Sequence, residues 1–274
     1  MNLFVAIAIV VGCVAVSVTA ILLVRRHAPD GSYFHDGDRA SGVFGVLATG
    51  FAVLLGLVVV LAFTSFDESR SGAEQEALFV SQQFETAQFL PDAQRDDLSG
   101  QLVCYARNVV HQEWPQLDEG TQGDTINPWA VELFETTRKV DPQSPAEQAA
   151  YAKWLDQTSD REAARNDRMH GAAGVIPPPL WVVLLFSAVV IFGYMLLFAD
   201  SNERWFVQAT LVGSVTAVMV SSLLLISVLD NPFSEHPGGL EPVAMRRTLH
   251  VLAQEQAVVS DGPVPCDARG LPKS

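Results

Sequence analysis

Apolar residues in this chain are gathered into four long blocks, with one long polar stretch between the second and the third. The blocks run over residues 3–24, 43–66, 180–199 and 206–229, and none holds an Asp, Glu, Lys, Arg or His. A helix rises about 1.5 Å per residue and the hydrocarbon core of a bilayer is about 30 Å thick, so about 20 apolar residues make a span. Each block reaches that length, and a helix of a soluble core would carry a polar face that these lack. The ends agree. Arg25, Arg26 and His27 stop the first block, Asp67 and Glu68 the second, and Asp230, Asn231 and Pro232 the fourth, while Pro177, Pro178 and Pro179 precede the third. The pattern predicts four membrane-spanning helices. A secretory signal peptide is the rival for the first block, with Val18, Thr19 and Ala20 as the cleavage site. No Lys or Arg precedes the apolar core and the run continues through Val24, which favours a retained span.

The polar stretch, residues 67–179, also reads as helix. The second span continues past Phe66 to about Phe89, and Pro91 with Asp92 restarts a helix whose Leu98, Leu102, Tyr105, Ala106 and Val109 share one apolar face. Asn127 before Pro128 caps a short helix to about Val140 that offers Trp129, Leu133 and Val140 for burial. Ser144, Pro145 and Glu147 form a capping box that opens a helix to about Met169. The fold class is therefore all-α: a transmembrane pair in 1–66, a helical extramembrane domain in 67–179 inserted between the second and third spans, a second transmembrane pair in 180–229, and a tail over 230–274. In that tail, residues 240–256 form a short helix whose Arg246 and Arg247 suit lipid headgroups, and Pro263, Pro265 and Pro272 suggest a mobile end.

Charge narrows the function. The chain carries a net charge of −14, and residues 67–179 hold 20 Asp plus Glu against 9 Lys plus Arg, so nucleic acid, which needs basic surface, is excluded as a partner. Arg25 and Arg26 beside the first span, with Arg39 before the second, favour the short first loop inside, with the N-terminus, the acidic domain and the tail outside. Arg161, Arg165 and Arg168 near the third span weigh the other way. These three fall at i, i+4 and i+7, a stripe expected to pair with Asp160, Glu162 and Asp167 and to touch headgroups. Cys104 and Cys266 share a compartment under any four-span topology, so a disulfide between them is open if that side is oxidising.

In the second span Ser41, Gly45, Ala48, Ala52 and Gly56 repeat at helical spacing with Thr49 and Gly50 beside them, giving one narrow face free of bulky side chains. Thr210, Ser214, Ala217 and Ser221 do the same in the fourth span, and Ala8, Gly12, Ala15 and Thr19 in the first. Such faces let helices approach closely, and tight packing is the plainer reading. The functional reading is a narrow pore in an oligomer, with Gly45, Thr49, Ala52 and Gly56 as pore-face candidates. Catalytic patterns are absent. The histidines His27, His35, His111, His170, His236 and His250 have no metal-ligand spacing and read as surface residues; His35, Asp36 and Asp38 read as a turn. No phosphate loop, nucleophile elbow or buried carboxylate pair is written in the chain, and no cofactor or metal is called for. An uncharged membrane interior also argues against a proton pump.

Taken in order, the two spans, Glu74 and Glu76 opening a long helical region, Tyr105, the Glu113-Trp114 pair, an arginine-bearing helix before a proline-led third span, and the exit Asp230-Asn231-Pro232-Phe233 resemble the bacterial membrane family named bestrophin-like. The resemblance implies a distant kinship with bestrophins proper, pentameric ion channels whose second span lines the pore and whose termini and helical extension lie in the cytosol. In animal bestrophins acidic residues follow the Asn-Pro-Phe motif and help bind calcium. Here Ser234, Glu235, His236, Pro237, Gly238 and Gly239 follow, so no calcium clasp carries over. Two functions compete: an oligomeric channel in membrane lipid, and a non-conducting scaffold or sensor whose acidic helical domain binds a protein partner or a small ligand. An enzyme ranks below both.

Overall fold

The computed structural model describes residues 3–29, 32–118, 126–234, 238–259 and 264–273. Among them there is no strand, only a lone bridge between Cys266 and Pro272. The helices are α1 (Leu3–Arg25), α2 (Gly37–Ala87), α3 (Asp92–Asn108), a π-helical turn (Val109–Glu113), α4 (Trp114–Asp118), α5 (Pro128–Thr137), α6 (Pro145–His170), α7 (Pro178–Leu197), α8 (Trp205–Leu229) and α9 (Val243–Val259). Four of them, α1, α2, α7 and α8, are long and apolar enough to cross a membrane. The chain divides into two compact units, one of Met1–Thr64 with Gly174–Asp230, the other of Ser65–Ala173 with Asn231–Ser234 and Gly239–Ser274.

In the first unit α1 packs on α8, where a Cβ at Gly213 would lie 3.5 Å from the Val14 and Val18 side chains. Ile21, Ala199 and Val212 are buried there. A second cluster joins Val58 and Ala62 of α2 to Ile176, Leu184 and Ile226. Two polar clamps close the helix ends. Arg25 donates to the carbonyls of Asp200 (3.2 Å), Ser201 (2.9 Å) and Glu203 (2.5 Å), which satisfies the turn between α7 and α8. The buried Asp230 carboxylate accepts the amides of Val175 (2.7 Å) and Ile176 (2.9 Å) and the Trp181 indole N–H (3.3 Å), which fixes the entry to α7. Large apolar side chains such as Phe4, Val46, Phe186 and Val218 face outward, as hydrocarbon solvent permits.

The second unit is built on α3. Leu98, Leu102, Tyr105, Ala106 and Val109 are all buried, as their spacing predicts, against Phe84 of α2, Leu133 of α5, Trp154 of α6 and Leu252 of α9. The predicted caps are in place. Asn127 accepts the Trp129 amide at 3.1 Å, and Ser144 and Glu147 form the reciprocal box. The end of the chain departs from expectation. Cys266 is disulfide-bonded to Cys104, Arg107 donates to the Asp267 carbonyl (3.1 Å) and the Trp129 indole to the Gly270 carbonyl (2.6 Å). Gly270 has φ +79° and lies against the Asn108 backbone, where no side chain fits. Residues 264–273 are thus a clip seated on α3, and Pro265 and Pro272 belong to it; Pro263 lies outside the described residues.

Candidate functional site

In the first unit, α2 turns Val58 and Ala62 inward, and this orients its other face. Gly45, Thr49, Ala52 and Gly56 are all exposed, and a Cβ built at Gly45, Gly50 or Gly56 would meet nothing within 4 Å. The other small-residue faces behave alike: Ala8, Gly12, Ala15 and Thr19 are exposed on α1, and Thr210, Ser214 and Ser221 on α8. The contact between α1 and α8 uses Gly213 instead, and Thr216 is buried. Spacing alone showed that these faces are narrow, but not which way they point.

The second unit holds a buried charge cluster. Gly72 lets the α6 backbone close directly on α2, because a Cβ there would overlap Ala164 and Arg168 backbone atoms. Four residues on, Glu76 receives Arg168 through two nitrogens, Nε to Oε2 and Nη2 to Oε1 at 3.2 Å, and also accepts the Tyr105 hydroxyl at 2.6 Å. Arg168 Nη2 reaches on to Glu113 Oε2 at 2.6 Å, while Asn127 Nδ2 donates to Glu113 Oε1 at 2.8 Å and Arg165 lies 3.5 Å from Glu113 Oε2. Arg161 donates to Gln83 at 2.8 Å and stacks 4.8 Å over the Tyr105 ring. The arginine stripe therefore does not pair with Asp160, Glu162 and Asp167 on its own helix; it faces inward. The carboxylate pair that no local motif announced is Glu76 and Glu113, bridged by one guanidinium.

Electrostatics follow from this geometry. Burial works to raise the Glu113 carboxyl, but the Arg168 and Arg165 charges, with hydrogen bonds from Arg168 and Asn127, outweigh it and hold Glu113 below the usual carboxylate range. Burial, then the neighbouring Glu76 charge, pushes the Tyr105 hydroxyl well up, so it stays a donor. Arg168, which burial would lower, is raised by Glu76 and Glu113 and stays charged. With their oxygens occupied by donors, the two carboxylates act as a lock between α2, the π turn and α6. Losing one partner of such a buried pair costs about 3–5 kcal/mol. Beside the lock lies a cleft of about 580 Å³ lined in part by Arg70, Glu74, Glu76, Trp114, Glu241 and Met245. Among the described residues no group of His, Cys, Asp and Glu gathers as metal ligands would. Asp36 caps the start of α2 by accepting the Arg39 amide at 3.0 Å, so the first-loop acids serve a turn.

A family model of the bestrophin-like domain matches residues 8–236. The chain belongs to the bestrophin-like family. No curated protein matches it. Among solved structures, the fold of this bestrophin-like protein is similar to a bacterial bestrophin homologue from Klebsiella pneumoniae. One crystal structure of that homologue gives a TM-score of 0.69 at 13% identity, covering 90% of this chain and 98% of the other. A variant of it gives 0.70 at 13% identity, covering 91% and 99%. A further crystal structure, of a membrane protein variant, gives 0.68 at 13% identity and covers 93% and 100%. The chain is a multi-pass membrane protein with four apolar helices in an all-helical fold.

The motif residues of this bestrophin-like protein divide by role. Asp230 caps the entry to α7 in the first unit. In the second, the Pro232 carbonyl accepts the Leu240 amide at 2.7 Å and Phe233 packs edge-on to Trp114 at 5.3 Å. Asn231 is exposed at the surface. Glu74 is exposed and pairs with Arg70 at 3.2 Å, whereas Glu76 is buried in the lock. Glu235, His236 and Pro237 lie outside the described residues. One signal for the lock was present in the sequence: Glu113 falls four residues after Val109, on the register of the apolar face, where an acid needs a buried partner.

Proposed function

We propose that this bestrophin-like protein is a subunit of a homo-oligomeric ion channel, embedded in membrane lipid, whose pore is lined by the face of α2 bearing Gly45, Thr49, Ala52 and Gly56. The observation that carries the reading is that this face is uncovered. Its glycines meet nothing within 4 Å while the other side of the same helix packs through Val58 and Ala62, with Phe51, Leu54 and Leu55 partly buried, so close packing inside one chain does not account for it. The resemblance to bestrophins, whose second span lines the pore, supplies the matching function. Weakly polar hydroxyl and glycine surface is the kind that conducts ions past a helix.

In this reading residues 67–179 form the extramembrane domain inserted between the second and third spans, and the protein is not an enzyme. The N-terminus and the acidic domain face the outer side. Arg25 and Arg26 favour it, and the opposing arginines, Arg161, Arg165 and Arg168, are engaged inside the second unit rather than at headgroups. A disulfide between Cys104 and Cys266 also suits an oxidising compartment. The cleft beside Glu76 supports the second reading, a scaffold or sensor whose acidic domain binds a protein partner or small ligand.

Recording from purified protein in planar bilayers tests the channel. Currents that vanish or change selectivity in Gly45→Leu and Gly56→Leu variants are expected. A silent sample that is oligomeric and well reconstituted overturns the channel and leaves the sensor reading.

A further inference from the structure

The second unit carries more acids than bases on its outside, with exposed bases such as Arg70, Arg138, Lys139 and Lys153 scattered singly, and one helix reverses the balance. Residues 67–179 hold 20 acids and 9 bases, and three of those bases, Arg161, Arg165 and Arg168, are used inside on Gln83, Glu76 and Glu113. What α6 shows to the outside is therefore four acids, Asp156, Asp160, Glu162 and Asp167, against one base, Lys153, with Leu155 also exposed; the four acids have no ion partner among the described residues. Ala152, Ser159 and Ala163 lie exposed between them, so another helix can approach closely.

Helix α9 is the opposite case. From Val243 to Gln254 it contains no Asp or Glu, and its outer side presents Arg246, Arg247 and His250 with Val243 and Val251 around a shallow groove of about 530 Å³. Its inner side is already used: Met245 and Leu252 are buried in the core, and the Thr248 hydroxyl donates to the Ala77 carbonyl at 3.2 Å. Arg246 also holds Glu241 at 3.2 Å with both side chains more than half exposed, whereas Arg247 has no ion partner among the described residues. Within the unit α6 seats on Gly72 and Gln83 of α2 and α9 on Ala77, and among the described residues no ion pair joins the two faces.

We propose that the basic outer face of α9 docks on the acidic outer face of α6 in a second copy of this chain. The proposal rests on the homo-oligomeric reading above and names the seam it would use. Acidic units brought side by side repel, so copies assemble where one of them offers basic surface. A seam between two different faces is heterologous, the kind that closes into a ring when the rotation allows.

The test uses the full chain in mild detergent, with mass followed by light scattering against protein and salt concentration. Arg246→Glu with Arg247→Glu, and separately Asp156→Lys with Asp160→Lys, should each weaken assembly at least about tenfold, because each puts like charges at the seam. A variant carrying all four substitutions in one chain should regain the wild-type mass, and circular dichroism melts check that every variant is folded. An oligomeric wild type whose charge-reversed variants keep its mass overturns the seam and leaves the oligomer standing. A monomeric wild type overturns both. A wild type that assembles only when phosphatidylglycerol is present, with the arginine variants and the fourfold variant alike failing to assemble with it, assigns the patch to lipid headgroups and overturns the proposal.

Discussion

At Glu113 two opposing effects act on one carboxyl. Burial favours the neutral acid, while Arg168, Arg165 and Asn127 favour the anion and prevail. A carboxyl held low when folded, against about 4.3 when unfolded, stabilises the fold above that unfolded value. The contribution is lost as pH falls through the folded value. Melting of the wild type should therefore drop more steeply than that of Glu113→Gln between about pH 5 and pH 3, with the variant about 3 kcal/mol less stable at neutral pH. Parallel pH profiles would show that the Glu113 charge is not linked to folding. Sequence reading found Glu113 and Arg168 separately, one in a motif and one in a stripe, but they are 55 residues apart and no local spacing joins them. The π turn at Val109–Glu113 was equally hidden, since it breaks the periodicity from which helices are read.

Elements were more legible than their contacts. Caps are written in short range, so Asn127 with Pro128 and Ser144 with Glu147 marked their helices directly. The four spans were legible because lipid demands long apolar runs. Direction was not, since a helix surrounded by hydrocarbon has no polar side to show which face packs. Gly45 and Gly72 of α2 make the contrast measurable. Gly72→Ala puts a methyl 2.7 Å from the Ala164 carbonyl oxygen, so it should destabilise the second unit by about 1–3 kcal/mol in denaturant titration. Gly45→Ala meets open space and should stay within about 0.5 kcal/mol of wild type. Equal effects at the two sites would contradict the placement of α6 on α2.

For the whole molecule, the pairing of Cys104 with Cys266 was left open by the sequence because it depends on the compartment. Its consequence can be measured in intact cells. With acid trapping, both thiols should resist maleimide until reduced, and Lys153→Cys, exposed on α6, should react with a membrane-impermeant maleimide before lysis. Free thiols in trapped protein, together with a Lys153→Cys that reacts only after lysis, would place the acidic unit on the reducing side.

The clip that carries Cys266 also sets a sequence of events in synthesis. Cys104 leaves the ribosome before the third apolar helix and Cys266 only after the fourth, 162 residues later. The covalent link can form only once the whole set of membrane helices has been made, and both sulfurs must have reached the same side. A chain that stalls, or carries only one of the third and fourth helices across, leaves Cys104 without its partner. The closed bond is thus a chemical record that the third and fourth helices were completed and inserted as a pair.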